Sequence, residues 1–265
     1  MSLPAFHFKR FSVAQAGAAH PVGTDAVLLG AWTDVQNTLR FLDIGTGTGV
    51  VALMLAQRIT CSGDFSRSNA TEEPPNKPIF AAPEHLSDWN AIAVEIHPPS
   101  AALARTNFAA SPWASKLDLW EGPIQGFPKD SGPFDLIVSN PPFFSDLTVS
   151  PDQDRSLGRH TASLSPGDLL ATVNVLLAPK GRFCVVLPER EGRRLCEFAV
   201  PLGLYWTRIT EVRSRPGKPV ERLLLQFEKN PYAIQREEIC LFAGKTGQNY
   251  SPEFQALTRD FYLAG

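Results

Sequence analysis

The chain has 265 residues, of which 43% are hydrophobic and 20% charged, and its formal net charge is −2. A chain of this size buries roughly three quarters of the surface that its unfolded form exposes, so its fold requires no disulfide or structural metal. The composition excludes collagen-like, coiled-coil and wholly disordered proteins. The four cysteines lack C-x-x-C pairing and zinc-spaced histidines, so we expect reduced thiols and no metal. No apolar run approaches about 18 residues and the start lacks a signal-peptide core, so we expect a cytoplasmic protein without a membrane partner.

Short apolar runs alternate along the chain with segments of helical apolar spacing. The runs that predict buried strands are 40–44, 90–95, 116–120, 134–139 and 181–187. The segments that predict helices are 50–58, 98–110, 166–177 and 192–201. This alternation implies right-handed crossovers and a mostly parallel sheet with helices on both faces.

Two further strands are predicted at 205–212 and 222–227, with Pro216 and Gly217 in the turn between them. A short proline- and glycine-containing connection is typical of a hairpin, so this last pair is expected to be antiparallel. The fold class is therefore α/β, with a Rossmann-like, seven-stranded and mostly parallel sheet.

We expect a single domain over residues 1–265 with three additions to this core. Residues 1–36 form an N-terminal strand and helix extension, and residues 230–265 form a C-terminal strand and helix. Residues 59–89 are rich in Ser, Asn, Glu and Pro and have no periodicity, which favours a disordered insertion over an ordered lid. We expect a monomer, although the sequence does not define the oligomeric state.

A glycine-rich loop follows the first buried strand, in the order Asp43-Ile-Gly45-Thr-Gly47-Thr-Gly49. Glycines at this position allow a tight turn and a close approach of the backbone to a ligand, and the next helix directs free N–H groups toward it. The Asp43 carboxylate suits a cationic group better than a pyrophosphate. Glu95 ends the next strand, as an acceptor for a ribose diol should. Together these residues predict a nucleoside-containing ligand.

A second motif, Asn140-Pro141-Pro142-Phe143, directly follows the strand at 134–139. Two prolines remove two backbone donors, so an amine that enters here meets the acceptor oxygens of Asn140 and Pro141. Phe143 offers an aromatic face for a flat ring. Two acceptors can draw a planar, weakly nucleophilic nitrogen toward tetrahedral geometry, which frees its lone pair for attack.

Together these motifs resemble those of class I S-adenosylmethionine-dependent methyltransferases that act on amino groups. The resemblance narrows to the bacterial tRNA(Val) adenine-N6 methyltransferase family through segments at both ends of the chain. The segments that carry it are 6–11, 22–32, 53–58, 111–114, 184–189, 248–251, 256–258 and 261–263. It covers nearly the whole chain except residues 59–89, and it implies methylation of the exocyclic N6 of an adenine in tRNA, next to the anticodon of a valine tRNA.

The resemblance also implies roles for individual residues. The cofactor's methionine end is held by Asp43, Gly45, Gly47 and Gly49 and its ribose by Glu95. The methionine pocket is supported by Gly23, Thr24 and Asp25. The target adenine is surrounded by Asn140, Pro141, Pro142 and Phe143, of which Asn140 also borders the cofactor. The residues implied to contact RNA are Arg155, Arg159 and His160.

One departure from the family pattern lies at Pro123, where the family has an acidic residue that contacts the cofactor's adenine. Proline cannot accept that hydrogen bond. The alternatives are backbone groups, apolar packing on Ile124, or Glu121 after a local shift.

Charge is distributed unevenly, because residues 150–229 contain 13 Lys and Arg against 9 Asp and Glu. This segment, which includes Arg193 and Arg194, is the predicted RNA surface, with Lys9 and Arg10 as the alternative.

Other functions stay open at this point. The same proline-rich turn serves methylation of guanine N2 in ribosomal RNA, of adenine N6 in DNA and of a glutamine amide in protein. An NAD-dependent oxidoreductase has a similar glycine loop, which is followed after about 20 residues by an acidic residue. In this chain the corresponding acid, Glu95, comes only after the insertion at 59–89. A non-catalytic RNA- or cofactor-binding scaffold is disfavoured by the intact motif at 140–143.

Overall fold

The computed structural model describes residues 3–65, 88–141 and 164–263. The strands of these residues are β1 (Phe6–His7), β2 (Ser12–Val13), β3 (Arg40–Ile44), β4 (Asn90–Glu95), β5 (Leu117–Glu121), β6 (Phe134–Ser139), β7 (Leu177–Pro188), β8 (Tyr205–Arg213), β9 (Val220–Glu228) and β10 (Gln235–Cys240). The α-helices are α1 (Thr24–Trp32), α2 (Val50–Phe65), α3 (Pro98–Ala109), α4 (Pro166–Leu176), α5 (Glu189–Ala199) and α6 (Pro252–Thr258).

Eight of the described strands form one sheet in the order β10-β8-β9-β7-β6-β3-β4-β5. All neighbours are parallel except β9, which runs antiparallel to both β7 and β8. The predicted α/β class, the mostly parallel sheet and the antiparallel hairpin at 205–228 are confirmed.

The predicted strand count of seven is too low, because β10 adds an eighth strand at the sheet edge. It pairs in parallel with β8 from Gln235 opposite Arg208 to Cys240 opposite Arg213. Its first four residues are polar and exposed. An edge strand of this kind lacks the apolar run that reveals a buried strand, so its sequence did not predict the pairing.

Two hydrophobic layers cover the faces of the sheet. Alternate residues of a strand point to opposite faces, so Phe41 packs with α1, α2 and α3 while its neighbour Leu42 packs with α4 and α5. The N-terminal strands β1 and β2 form an antiparallel pair, which packs on the first of these layers. There the ring of Phe8 meets that of Phe261 edge-on at 6.4 Å.

Several element boundaries differ from the prediction. Helix α2 continues to Phe65 and buries Ile59, so the first part of the predicted 59–89 insertion is helical. Trp89 is also buried and stacks on Phe41 with ring centroids 6.0 Å apart. The remainder of the insertion, residues 66–87, lies outside the described residues. Helix α5 begins at Glu189, three residues before the predicted start.

Within the described ranges, no helix combines the length and apolar character needed to cross a membrane. The same ranges contain no group of three or more His, Cys, Asp or Glu side chains placed to hold a metal ion.

Candidate functional site

The site is built where three parallel strands end side by side. Ile44 of β3 lies opposite Val94 of β4 on one side and opposite Ser139 of β6 on the other. The chain leaves β3 toward β4, while β6 flanks β3 on the opposite side, so β3 stands at a switch point of the topology. In open parallel sheets, ligands bind in the crevice outside the carboxyl ends of the strands at such a point.

The loop between β3 and α2 requires glycine for two different reasons. Gly45, Gly47 and Gly49 have φ angles of 74°, 58° and 84°, which side chains rarely adopt. A Cβ atom built on Gly45 or Gly47 meets no atom of the described residues within 4 Å, whereas one on Gly49 comes within 2.5 Å of the Phe108 ring. The first two glycines therefore face space that no described residue fills, and the third allows α3 to pack closely against the loop.

Glu95 fixes the position of this loop from the neighbouring strand. One carboxylate oxygen accepts the backbone N–H of Gly47 at 2.8 Å, and the other accepts that of His97 at 2.8 Å. The backbone N–H groups of Gly45 and Thr46 donate to the Val94 carbonyl at 2.9 and 3.0 Å. The Glu95 side chain, only 7% exposed, thus lies at the crevice in a fixed orientation.

Asp43 of β3 supports the same loop through a hydrogen bond with the Thr46 side chain. Its carboxyl group is 1% exposed and accepts the Thr46 hydroxyl at 2.6 Å. Burial raises its pKa from the ordinary 3.8 to about 7, and the nearby charge of Glu95 adds to this, while hydrogen bonds from Thr46 and the Ala52 backbone lower the pKa and oppose the shift. A direct contact between Asp43 and a cationic ligand, expected from the sequence, stays a prediction.

Asn107 of α3 is a structural part of the site that the sequence analysis missed. Its side-chain N–H groups donate to the carbonyls of Thr48 at 2.8 Å and Ala14 at 3.0 Å, and its oxygen accepts the Ala14 backbone N–H at 2.8 Å. The side chain is 2% exposed. It therefore ties the N-terminal segment to the glycine loop. No local pattern marks it, because its partners lie 59 and 93 residues away in sequence.

The predicted trio Gly23, Thr24 and Asp25 lies at the same edge of the sheet. Asp25 forms an ion pair with Arg222 at 2.8 Å. Arg222 is at the start of the antiparallel strand β9, opposite Pro188 at the carboxyl end of β7. The beginning of α1 is therefore held at the edge where β3, β4 and β6 end. Arg222 was not among the predicted site residues.

Asn140 and Pro141 follow the last residue of β6. The Ser139 hydroxyl donates to the Ile44 carbonyl at 2.8 Å, which joins the ends of β6 and β3. Asn140 follows this link directly in the chain and is half-buried. The other predicted substrate residues, Pro142, Phe143, Arg155, Arg159 and His160, lie outside the described residues.

The far side of the crevice is formed after β5, where Glu121 lies in register with Glu95. The Glu121 carboxylate pairs with Arg105 at 2.8 Å, and the Gly122 N–H donates to the Glu95 backbone carbonyl at 2.9 Å. Ile124 is 5% exposed at the start of a short 3-10 turn. Of the three alternatives for the Pro123 departure, Glu121 is thus engaged with Arg105, and the choice among Glu121, the backbone and Ile124 stays a prediction.

Similarity to known proteins shows the family and the fold of this chain. No protein-family model matches the chain. It is 39% identical over 263 residues to the tRNA1(Val) (adenine(37)-N6)-methyltransferase of Bacteroides thetaiotaomicron, covering 99% of both chains. It is 37% identical over 259 residues to the enzyme of the same name from Yersinia enterocolitica, covering 97% of this chain and 92% of that one.

Solved structures share its fold at lower identity. A predicted O-methyltransferase, Atu636 from Agrobacterium tumefaciens, has a TM-score of 0.59 and 16% identity, with 89% of this chain and 96% of that chain covered. Ribosomal protein L11 methylase from Lactobacillus delbrueckii subsp. bulgaricus has a TM-score of 0.51 and 14% identity, with 81% and 83% covered. The fold is thus the Rossmann-like methyltransferase fold, and the near full-length identity to curated relatives shows that the chain belongs to the tRNA1(Val) (adenine(37)-N6)-methyltransferase family.

Proposed function

We propose that this chain is an enzyme that transfers a methyl group from S-adenosylmethionine to the exocyclic N6 of an adenine in tRNA. The names of its relatives direct the finer proposal to adenine 37 of a valine tRNA. The observation that carries the proposal is the placement of Asn140 at the end of β6, directly beside the β3 end that begins the glycine loop.

The residues at the crevice fit this cofactor. Gly45 and Gly47 face space that is free of other described residues and in which a ligand can lie against the backbone, and Glu95 lies next to them with both oxygens oriented by N–H donors. A carboxylate oxygen has more than one lone pair, so Glu95 can still accept hydroxyl groups of a ribose. When bound, the cofactor supplies a methyl group on a positively charged sulfur.

The same fit gives the remaining cofactor residues their proposed roles. Gly23, Thr24 and Asp25 border the methionine end, because the Asp25–Arg222 pair holds the start of α1 at this edge. Gly49 shapes the loop through its packing on Phe108 rather than through a ligand contact. Ile124 offers an apolar surface on the side of the adenine ring.

On the substrate side, Asn140 and the Pro141 carbonyl are proposed to accept the two hydrogens of the target amino group. The lone pair of such a nitrogen is delocalised into the ring, so the two acceptors favour the geometry in which it becomes available for attack. Their contribution is one of positioning, which can account for a large share of rate enhancement. The amine proton leaves to solvent after alkylation, so no general base is assigned.

The target base must leave its stack to reach Asn140, which is least costly in an unpaired loop. We propose that Phe143 stacks on the base and that Arg155, Arg159 and His160 contact the RNA. The substrate also implies that the enzyme acts in the cytoplasm, where tRNA is found.

The other amino-group substrates, and the NAD-dependent oxidoreductase, have no observation in their favour here. The full-length relatives and the fold neighbours named above are methyltransferases.

The proposed function is tested by incubating unmodified tRNA with the protein and deuterium-labelled S-adenosylmethionine, followed by digestion to nucleosides and mass spectrometry. We expect labelled N6-methyladenosine from tRNA. Ribosomal RNA, DNA and a glutamine-containing protein serve as parallel substrates. Labelled N2-methylguanosine, or label only in DNA or protein, would contradict the tRNA adenine assignment.

A further inference from the structure

Two loops meet at the carboxyl edge of the sheet on the side away from the glycine loop. The first, residues 214–219, joins β8 to β9, and the second, residues 241–250, follows β10. Both come after the ends of strands that run parallel to β6, the strand that carries Asn140. We call them the paired loops.

The paired loops contact each other directly. The Phe242 backbone N–H donates to the Ser214 carbonyl at 3.0 Å, and the Arg215 guanidinium donates to the Gly247 carbonyl at 2.5 Å. The same guanidinium lies over the Phe242 ring at 4.8 Å, and the Tyr250 ring stacks on that of Phe242 with centroids 5.5 Å apart. These contacts join the two loops into one preformed surface.

The paired loops carry positive charge and contain no acidic residue in their sequence. Their basic side chains are Arg215, Lys218 and Lys245, and their remaining polar groups include Gln248 and Asn249. Tyr250 is 43% exposed. Lysine, arginine, amide and tyrosine side chains are the groups that commonly bind phosphates and sugars of nucleic acids.

The nearest acidic side chains in the adjoining strands are engaged in ion pairs. Arg213 pairs with Glu238 at 3.0 Å and with Glu211 at 3.1 Å, and Glu211 also pairs with Arg193 at 3.3 Å. Among the described residues, Glu221, just after the first loop, and Glu253, just after the second, flank the loops in sequence without such a pair. The paired loops themselves carry three cations and no carboxylate.

The other half of the same edge is where the proposed cofactor lies, next to Glu95 at the end of β4. An RNA strand whose base reaches Asn140 at the end of β6 can therefore extend toward β10, away from the cofactor. At about 4.8 Å between neighbouring strands, the four intervals from β6 to β10 span roughly 19 Å, a distance that a folded RNA stem-loop can bridge.

We propose that the paired loops bind the sugar–phosphate backbone of tRNA on the side of the target adenine that is away from the cofactor. This inference rests on the proposed function. The sequence-based expectation placed the RNA surface in residues 150–229, which include Arg215 and Lys218, with Arg193 and Arg194 of α5 among its candidate contacts. In the structure Arg193 is engaged with Glu189 at 2.8 Å and Glu211 at 3.3 Å, and Arg194 lies over the Phe198 ring at 5.4 Å.

The test compares two triple variants of equal net charge. The loop variant combines Arg215→Gln, Lys218→Gln and Lys245→Gln. The matched control combines Lys129→Gln, Lys180→Gln and Arg236→Gln, three exposed cations near the amino ends of β6, β7 and β10, at the opposite edge of the sheet. Binding of tRNA is measured at several salt concentrations, and binding of S-adenosylhomocysteine is measured alongside.

For the loop variant we expect the Kd for tRNA to rise roughly tenfold or more and the slope of log Kd against log salt to fall by about 2, since each phosphate contact contributes about 0.7 to 0.9. Affinity for S-adenosylhomocysteine should be unchanged. The control variant should bind tRNA like the wild type.

A second variant guards against misfolding, because Arg215 also packs on Phe242. Lys218→Gln with Lys245→Gln removes only exposed side chains and should lower the salt slope by about 1.5. If tRNA affinity and salt slope are unchanged in both loop variants while the wild-type protein methylates tRNA, this inference is overturned and the proposed function still holds. Loss of tRNA binding in the loop variants, with no label in tRNA from the wild type, would instead contradict the proposed function.

Discussion

The carboxylate of Glu95 accepts a hydrogen bond from the backbone N–H of Gly47 at 2.8 Å, although the two residues lie 48 positions apart. Its second oxygen accepts the His97 N–H at the same distance. One side chain at the end of β4 therefore orients the glycine loop after β3 and remains at the crevice as a candidate ribose acceptor. This dual role makes Glu95 the most informative single position on the cofactor side.

Glu95→Gln keeps the shape of the side chain but leaves only one acceptor oxygen for two backbone donors. Leaving one buried N–H without a partner should lower the free energy of unfolding by about 1–3 kcal/mol. S-adenosylhomocysteine affinity, measured by calorimetry, should fall by roughly tenfold or more, about 1.4 kcal/mol. The matched variant Glu121→Gln, which removes an exposed ion pair with Arg105, should change stability by less than about 1 kcal/mol. Equal stabilities for the two variants would contradict this role of Glu95.

Gly47→Ala and Gly49→Ala should separate ligand binding from packing. Both place a side chain at a positive φ, which costs about 1–2 kcal/mol. The Gly49 variant also forces a Cβ within 2.5 Å of Phe108, so overpacking should add roughly 1–3 kcal/mol of destabilisation. The Gly47 variant places its methyl group in open space on the ligand side. Denaturant unfolding should therefore rank Gly49→Ala as less stable, and calorimetry should show cofactor binding lost in Gly47→Ala while the fold persists.

Asp43 makes the stability of the protein depend on pH. Its pKa is about 7 in the folded chain against an ordinary 3.8, so the folded state holds a proton that the unfolded state has released. This group's contribution to the free energy of unfolding is therefore fully present below 3.8, is lost as pH rises toward 7 and is constant above that. An asparagine side chain at this position would resemble the protonated acid and would not titrate.

We therefore expect the stability of the Asp43→Asn variant, relative to wild type, to improve as pH rises through this window, by at most about 1.4 kcal/mol per pH unit. Denaturant midpoints at pH values across the window measure the difference. A difference that does not vary with pH would show that Asp43 ionises normally in the folded chain.

Asn107→Ala should release the N-terminal segment from the glycine loop. The change removes three hydrogen bonds of a side chain that is 2% exposed, and it leaves the Ala14 N–H and two carbonyls without partners. We expect destabilisation of about 2–4 kcal/mol and faster amide hydrogen exchange around residues 12–15. The control is Asn174→Ala, which removes a single hydrogen bond, exposed to solvent, to the Leu202 carbonyl. Unaltered exchange near Ala14 in the Asn107 variant would contradict the link.

Sequence patterns predicted those parts of the fold whose signals are local. The strands at 40–44, 90–95 and 134–139 were predicted with their observed boundaries, because each is an apolar run buried on both faces of the sheet. The glycine loop and the acid at Glu95 were found because their order along the chain reflects the order of strand ends at one edge.

The features that were missed depend on contacts between distant parts of the chain. β10 is an edge strand with polar residues, so its pairing with β8 has no hydrophobic signature. Asn107 and Arg222 act through partners that lie 93 and 197 residues away. The raised pKa of Asp43 results from burial of its carboxyl group in the folded chain, whereas the sequence suggested an ordinary ionised carboxylate.

The most direct test of the proposed mechanism is the single-turnover rate of the Asn140→Ala variant with tRNA and labelled S-adenosylmethionine. If the Asn140 oxygen accepts the target amino group chiefly in the transition state, the rate should fall by about two orders of magnitude or more, while cofactor affinity stays within roughly threefold of wild type. Ser139→Ala, which removes the bond to the Ile44 carbonyl but keeps Asn140, measures the effect of disturbing the strand end alone. A near-normal rate for Asn140→Ala would contradict the assignment of the target amino group to this residue.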